Sequence, residues 1–228
     1  MGTVAAARET RPPVAQAEVK RVLTGAEVAA LYACVLLDIW RWQYSHPRLW
    51  ILLLVVVFTT QVVHRDTLRD LGLTRFELRS SAQVVLPLML AVYVPLMLAG
   101  FASGRIRLVI PDFAALSYLG RYGFWCLCQQ YLVQSYFHNR LMSVIRNRHL
   151  SSLLVAVMFG AAHLPNPVLT AATTLGGFIF SEVFARHRNI WPLALAQTAG
   201  GFLVAAITPA GLIHNMRVGP GYWFWGLR

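Results

Sequence analysis

The stretch HLSSLLVAVMFGAAHLPNPVLTAATTLGGFIFS, residues 149–181, contains no Asp, Glu, Lys or Arg. Pro165-Asn166-Pro167 in its middle reads as a turn, because proline fixes φ and withdraws a backbone donor. Two short apolar spans joined by that turn predict a tight helical hairpin. Working outward, residues 80–104 are also free of charge. They exceed the ~20 residues a helix needs to cross a ~30 Å hydrocarbon core. Pro87 and Pro95 interrupt that stretch without forbidding a span, since neighbouring helices satisfy the freed carbonyls. Residues 189–216 and the shorter 49–64 are two more charge-free runs, and residues 22–40 and 113–137 carry only Glu27 and Asp38, and Arg121, respectively.

This pattern predicts an all-α polytopic transmembrane bundle of about seven spans, near residues 22–40, 49–64, 82–102, 114–137, 150–164, 168–185 and 190–208. Composition agrees. The 228 residues are 57% hydrophobic and 13% charged, whereas charged residues make up about a quarter of a soluble domain. So apolar a chain does not stay solvated as a disordered one. The length fits a single transmembrane domain, residues 21–228, preceded by a cytoplasmic mobile tail, residues 1–20. That tail carries Arg8, Glu9, Arg11, Glu18 and Lys20 and has no continuous apolar core. A cleavable signal peptide is therefore not expected, and the first span serves as the insertion signal.

The net charge of +11 is unevenly placed. Of the twenty Lys and Arg residues, thirteen fall in the first 21 residues and the loops at 65–79, 138–149 and 186–189. Six fall in the alternate segments, and Arg121 lies inside a span. Because cytoplasmic loops hold the excess of positive charge, the N-terminus is expected in the cytoplasm, with the C-terminus and the Pro165 turn on the opposite side. The expected location is a bacterial cytoplasmic membrane. The basic loops suit anionic lipid head groups, and with no aromatic-basic recognition module beside them nucleic acid is not an expected partner. Trp40, Trp42, Trp50 and Tyr222-Trp223-Phe224-Trp225 stand at span ends as interfacial anchors. The cysteines Cys34, Cys126 and Cys128 fall in spans and lack zinc spacing.

Function in such a chain rests on polar residues at membrane depth, which face a bundle interior or cavity. Three groups stand out. Gln129, Gln130 and Gln134 precede His138, and Gln130, Gln134 and His138 recur every fourth residue along one helical face. Phe159-Gly160-Ala161-Ala162-His163 ends the fifth span. Gln197-Thr198-Ala199-Gly200-Gly201 lies in the last. Each alone also suits interhelical hydrogen bonding or close packing.

In this order the three groups resemble the motifs of the CPBP family of intramembrane proteases, which contains the type II CAAX prenyl proteases and bacterial abortive-infection and bacteriocin-processing relatives. The family pattern is Glu-Glu-x-x-x-Arg, then Phe-x-x-x-His, then His-x-x-x-Asn. Gln129, Gln130 and Gln134 match the first in spacing, Phe159 and His163 match the second outright, and the third falls on Gln197 and Gly201. The resemblance covers a core at about residues 114–208. It implies an intramembrane endopeptidase acting on lipidated or transmembrane peptides, a catalytic site at His163, Gln129, Gln130, Gln134 and Gln197, and zinc with His163 as a ligand.

The departures bear on that implication. A general base must accept a proton at working pH, and a glutamine amide has no usable basicity. Gln197 replaces a metal-binding imidazole, and Gly201 has no side chain. One imidazole does not make a zinc site, which takes three or four ligands. The expectation is therefore a protease-like, hydrolase-like fold with a degenerate active site, in which glutamate-dependent proteolysis is reduced or absent. The alternatives are an isoprenoid- or lipid-modifying enzyme that does not hydrolyse, or a binder of lipid or peptide in the same cavity. A transporter and a structural partner of a membrane complex are further alternatives from other classes. Glu182 is too far along its helix to replace the missing acid and pairs with Arg186 four residues on.

Overall fold

The protein is described here from a computed structural model, which places residues 14–106 and 113–224. Among these residues the regular secondary structure is all helical, with no strand. The elements are α1 (Val14–Leu37), α2 (Leu49–His64), α3 (Leu78–Ala102), α4 (Phe113–Gln130), α5 (Asn139–Val144), α6 (Arg148–Ala161), α7 (Pro167–Arg186), α8 (Trp191–Ile207) and the short α9 (Ala210–Ile213). Two π-helical segments extend them: Asp38–Trp42 continues α1, and Tyr131–His138 joins α4 to α5. Ala15–Trp42, Leu78–Ala102 and Pro167–Arg186 are long and apolar enough to cross a membrane, while α2, α6 and α8 are shorter apolar helices. Large apolar side chains cover much of the outer surface, among them Leu90, Leu98, Phe124 and Leu175, as a lipid-facing bundle requires. The expected N-terminal tail lies outside the described residues up to position 13, and α1 begins at Val14.

The hairpin is α6 and α7, packed along their length. Asn166 makes the turn: its side-chain oxygen accepts from Leu169 N at 3.1 Å, and its Nδ2 donates to Ile213 O at 2.8 Å and Arg217 O at 3.1 Å. The first bond satisfies an N–H that the start of α7 would leave unpaired. Pro167 at the first helical position has no N–H to satisfy. Close approach depends on Gly160, where a Cβ would run into Thr174 Oγ1 and lie 3.1 Å from Thr174 Cβ.

Two clusters hold the rest. Val28, Val57, Tyr136, Phe137 and Phe159 bring α1, α2 and α6 onto the second π-segment. Val85, Phe184, Ile190, Leu193 and Ala196 join α3, α7 and α8. At one end of the bundle polar ties replace apolar packing. Arg140 is 5% exposed and donates bidentately to Asp66 at 3.1 and 2.7 Å, with Glu27 at 3.6 Å from its Nε. Glu27 also accepts from Tyr136 Oη at 2.7 Å and meets His64 Nε2 at 2.9 Å. Asn189, fully buried, donates to Thr74 O and Phe76 O at 2.8 and 3.0 Å, which fastens the α2–α3 loop to the start of α8. Glu182 meets Arg186 at 3.2 Å and His149 at 3.0 Å.

Candidate active site

α4 and α8 pack against one another, and this brings two of the three motif groups together. Gln130 Nε2 donates to Gln197 Oε1 at 2.6 Å, and Gln197 Nε2 donates to Gln129 Oε1. The three amides thus form a chain in which Gln197 is acceptor and donor at once, a role open to an amide and closed to a carboxylate. Gln134 stands apart from that chain. It is fully buried, and its Oε1 accepts from Ser181 Oγ of α7 at 3.2 Å. His138 is likewise buried, with Nε2 3.3 Å from Ser152 Oγ.

Gln130, Gln134 and His138 are all fully buried, and the segment bonds i to i+5 from Tyr131 onward. Val133, Gln134, Ser135, Tyr136, Phe137 and His138 are six buried residues in a row, so this turn is enclosed on every side. Gln129 opens on a cavity of about 860 Å³ that Gln197 and His163 also line. Gln130 and Gln134 lie behind that wall.

His163 closes α6 at the cavity. Its Nδ1 lies 2.7 Å from Phe159 O, and a carbonyl only accepts, so Nδ1 carries the proton and Nε2 keeps its lone pair. The Phe159 ring meets the imidazole edge-on, with centroids 4.9 Å apart. The Phe-x-x-x-His spacing therefore works twice: the carbonyl selects the tautomer and the ring orients it. The result is one oriented neutral base beside three amides.

Two tyrosines fill the space opposite the glycines of α8. A Cβ at Gly200 would lie 2.6 Å from Tyr93 Oη, and one at Gly201 would run into Tyr122 Oη, with Tyr122 Cζ at 2.8 Å and Cε1 at 3.0 Å. Tyr93 Oη donates to Ala196 O at 3.0 Å. The Tyr122 ring stacks on Tyr118 and lies edge-on to Phe202, with centroids 6.4 and 5.1 Å away. The place where a residue-201 side chain would begin therefore holds the Tyr122 hydroxyl. Sequence reasoning missed Tyr93 and Tyr122. Tyr118 and Tyr122, four residues apart ahead of the glutamines, were the available signal. Asp38 was noticed only as an acid near the end of the first span, yet it too lines the cavity.

The donor set does not suit zinc. Three amides bonded to one another, Gly201 and His163 offer one imidazole where a metal takes three or four strong ligands. Among the described residues no three His, Cys, Asp or Glu side chains cluster to hold a metal. The free thiols of Cys126 and Cys128 do not change that set.

No curated protein and no solved structure matches the chain. The family model described as Rce1-like, type II CAAX prenyl endopeptidase Rce1-like, matches residues 111–203. That segment runs from just before α4 into α8 and contains Gln129, Gln130, Gln134, Phe159, His163, Gln197 and Gly201. Residues 111–203, set in an all-helical, membrane-compatible fold, are thus similar to the type II CAAX prenyl endopeptidase family that the motif spacing resembles.

Proposed function

We propose that this protein uses the CPBP fold to bind an apolar ligand with a polar head, an isoprenoid, a lipid or a lipidated peptide segment, and that it carries out no glutamate-dependent proteolysis. The observation that carries this reading is the amide chain Gln130–Gln197–Gln129 at the wall of the 860 Å³ cavity, in the positions the family gives to ionisable residues. A cavity of this size is ample for a small-molecule site. Its walls are mostly apolar, from Leu53, Met89, Leu132 and Phe180 among others.

The residues divide the work of binding. Gln129 and Gln197 present amide atoms that neither repel an anion nor demand a cation. His163 Nε2 accepts a proton or a hydrogen bond. The apolar walls exclude water from the chain of the ligand. No carboxylate among the motif residues activates a water, and the amides supply no base in its place. The excess of basic residues in alternate loops favours a cytoplasmic N-terminus.

Two measurements test this on detergent-purified protein. A farnesylated C-terminal peptide is incubated with it and the products are weighed by mass spectrometry, and the small molecules that co-purify are extracted and identified. The expected outcome is no cleavage, together with a defined amphiphile whose amount falls in His163→Ala. The double variant Gln129→Glu, Gln130→Glu remains inactive, since Gln197 and Gly201 are unchanged. Cleavage by the wild-type protein that is lost in Gln130→Ala, or by the double variant, overturns the proposal.

A further inference from the structure

The cavity contains one carboxylate that the family motifs do not include. Asp38 opens the π-segment at the end of α1 and lines the same cavity as Gln129 and His163. Its Oδ1 is buried and has no hydrogen-bond partner. The other acids of the described residues are placed differently. Glu27 has His64, Tyr136 and Arg140, Asp66 has Arg140, Asp70 has Thr67, Glu77 has Arg188 N, Glu182 has His149 and Arg186, and Glu18 is exposed.

No neighbour on its own segment supplies the missing donor. Gln43, five residues on, commits its Nε2 to Ile39 O at 2.6 Å and Val218 O at 3.2 Å. That bond ties the segment to the strand of chain around Gly219, whose N donates to Leu164 O at 2.8 Å, one residue from His163. Asp38 and His163 are therefore carried by adjoining backbone at the same end of the bundle. Asp38 is half-buried, but a carboxylate oxygen held from water without a partner is costly, and an ionisable group within a spanning helix is expected to serve a ligand or a path. His163 Nε2 adds a second acceptor to the same cavity wall.

We infer that Asp38 is the headgroup anchor of this cavity and that the ligand is a cationic amphiphile, a protonated amine on an apolar chain whose N–H groups pair with the Asp38 carboxylate. The inference rests on the binding reading above and narrows it. The amine supplies the donor that Asp38 Oδ1 lacks, and the chain lies along Leu53, Leu132 and Phe180. Charge-assisted hydrogen bonds of this kind are about twice as strong as neutral ones, so an amine outcompetes an alcohol of equal length.

The test is equilibrium binding of dodecylamine, dodecanol and dodecanoate to detergent-purified protein, followed by the fluorescence of Trp50 and Trp125, which line the cavity. Wild-type protein is expected to prefer dodecylamine over dodecanol by at least about tenfold, one charge-assisted pair, and to bind dodecanoate least. In Asp38→Asn that preference falls to within about threefold while dodecanol binding is unchanged. Asp38→Glu restores it, which separates charge from folding. Micelle partitioning of each compound is the same for all variants and cancels between them. Equal binding of amine and alcohol by the wild type, or an unchanged preference in Asp38→Asn, overturns the Asp38 assignment and leaves the cavity reading standing. Failure of all three compounds to bind overturns both.

Discussion

Substituting Gly201 with alanine tests whether the Tyr122 hydroxyl is built into the site. The added Cβ would overlap Tyr122 Oη and stand 2.8 Å from Cζ and 3.0 Å from Cε1, so a rigid ring must move rather than a flexible chain end. Stacking on Tyr118 and the edge contact with Phe202 leave it little room to swing. Overpacking of this kind costs about 1–3 kcal/mol. At 2–4 °C per kcal/mol for a chain of this length, that is a fall of roughly 2–12 °C in Tm. Thermal unfolding in detergent, followed by circular dichroism, reads it directly. Tyr122→Phe removes the worst overlap, so the double variant should recover part of the loss, and the non-additivity measures the contact. Gly201→Ala within about 0.5 kcal/mol of wild type, or strict additivity with Tyr122→Phe, would refute the reasoning.

Gln197→Leu removes the acceptor of Gln130 Nε2 and the donor to Gln129 Oε1. With Gln130 fully buried, the orphaned amide costs about 1–3 kcal/mol, seen as a lowered Tm; a variant as stable as wild type would mean the amide chain is not formed. Arg140→Met leaves Asp66 and Glu27 without their shared cation. The expected loss is about 3 kcal/mol, the lower end for a broken buried pair, because both carboxylates keep some contact with solvent. Denaturant unfolding checks it, and a change under 1 kcal/mol would contradict the buried network. Asp70, in the loop after α2, is held below the usual carboxylate range by the Thr67 hydroxyl and then by its backbone N–H. A lowered folded value means stabilisation that is present above the unfolded value of about 4 and lost as pH falls through the folded one. Thr67→Ala should flatten that acid limb of Tm against pH, and an identical limb in both proteins would count against the assignment.

Much of the fold is legible from charge spacing alone. The 49–64 run is α2, the run at 82–102 is α3 with four more residues at its start, and the charge-free 149–181 stretch gives the α6–α7 hairpin with its Pro165-Asn166-Pro167 turn. Apolar runs and prolines are local properties, and a bilayer-sized helix advertises both. The π-segments leave no such mark. Periodicity is measured against 3.6 residues per turn, so Asp38–Trp42 and Tyr131–His138 read as ordinary helix, and the burial of every residue from Val133 to His138 leaves no mark in the sequence either. The partners of the motif residues were not legible either. Tyr122 stands 79 positions from Gly201 along the chain and meets it only through the packing of α4 on α8.

That meeting supports the proposed binding site. If the motif had only decayed, Gly201 would leave a gap where a side chain once stood, Gln197 would dangle, and His163 would point without support. Instead the Tyr122 hydroxyl fills the place beside Gly201, Gln197 both accepts and donates between Gln130 and Gln129, and Phe159 still sets the His163 tautomer. Complementary contacts at these positions are what a sequence shaped for one structure displays, while Gln130 Oε1 and Gln134 Nε2 are buried without a hydrogen bond. Asp38, whose unpartnered oxygen belongs to a residue of the cavity wall, is the group to which the proposal gives a partner from outside the chain.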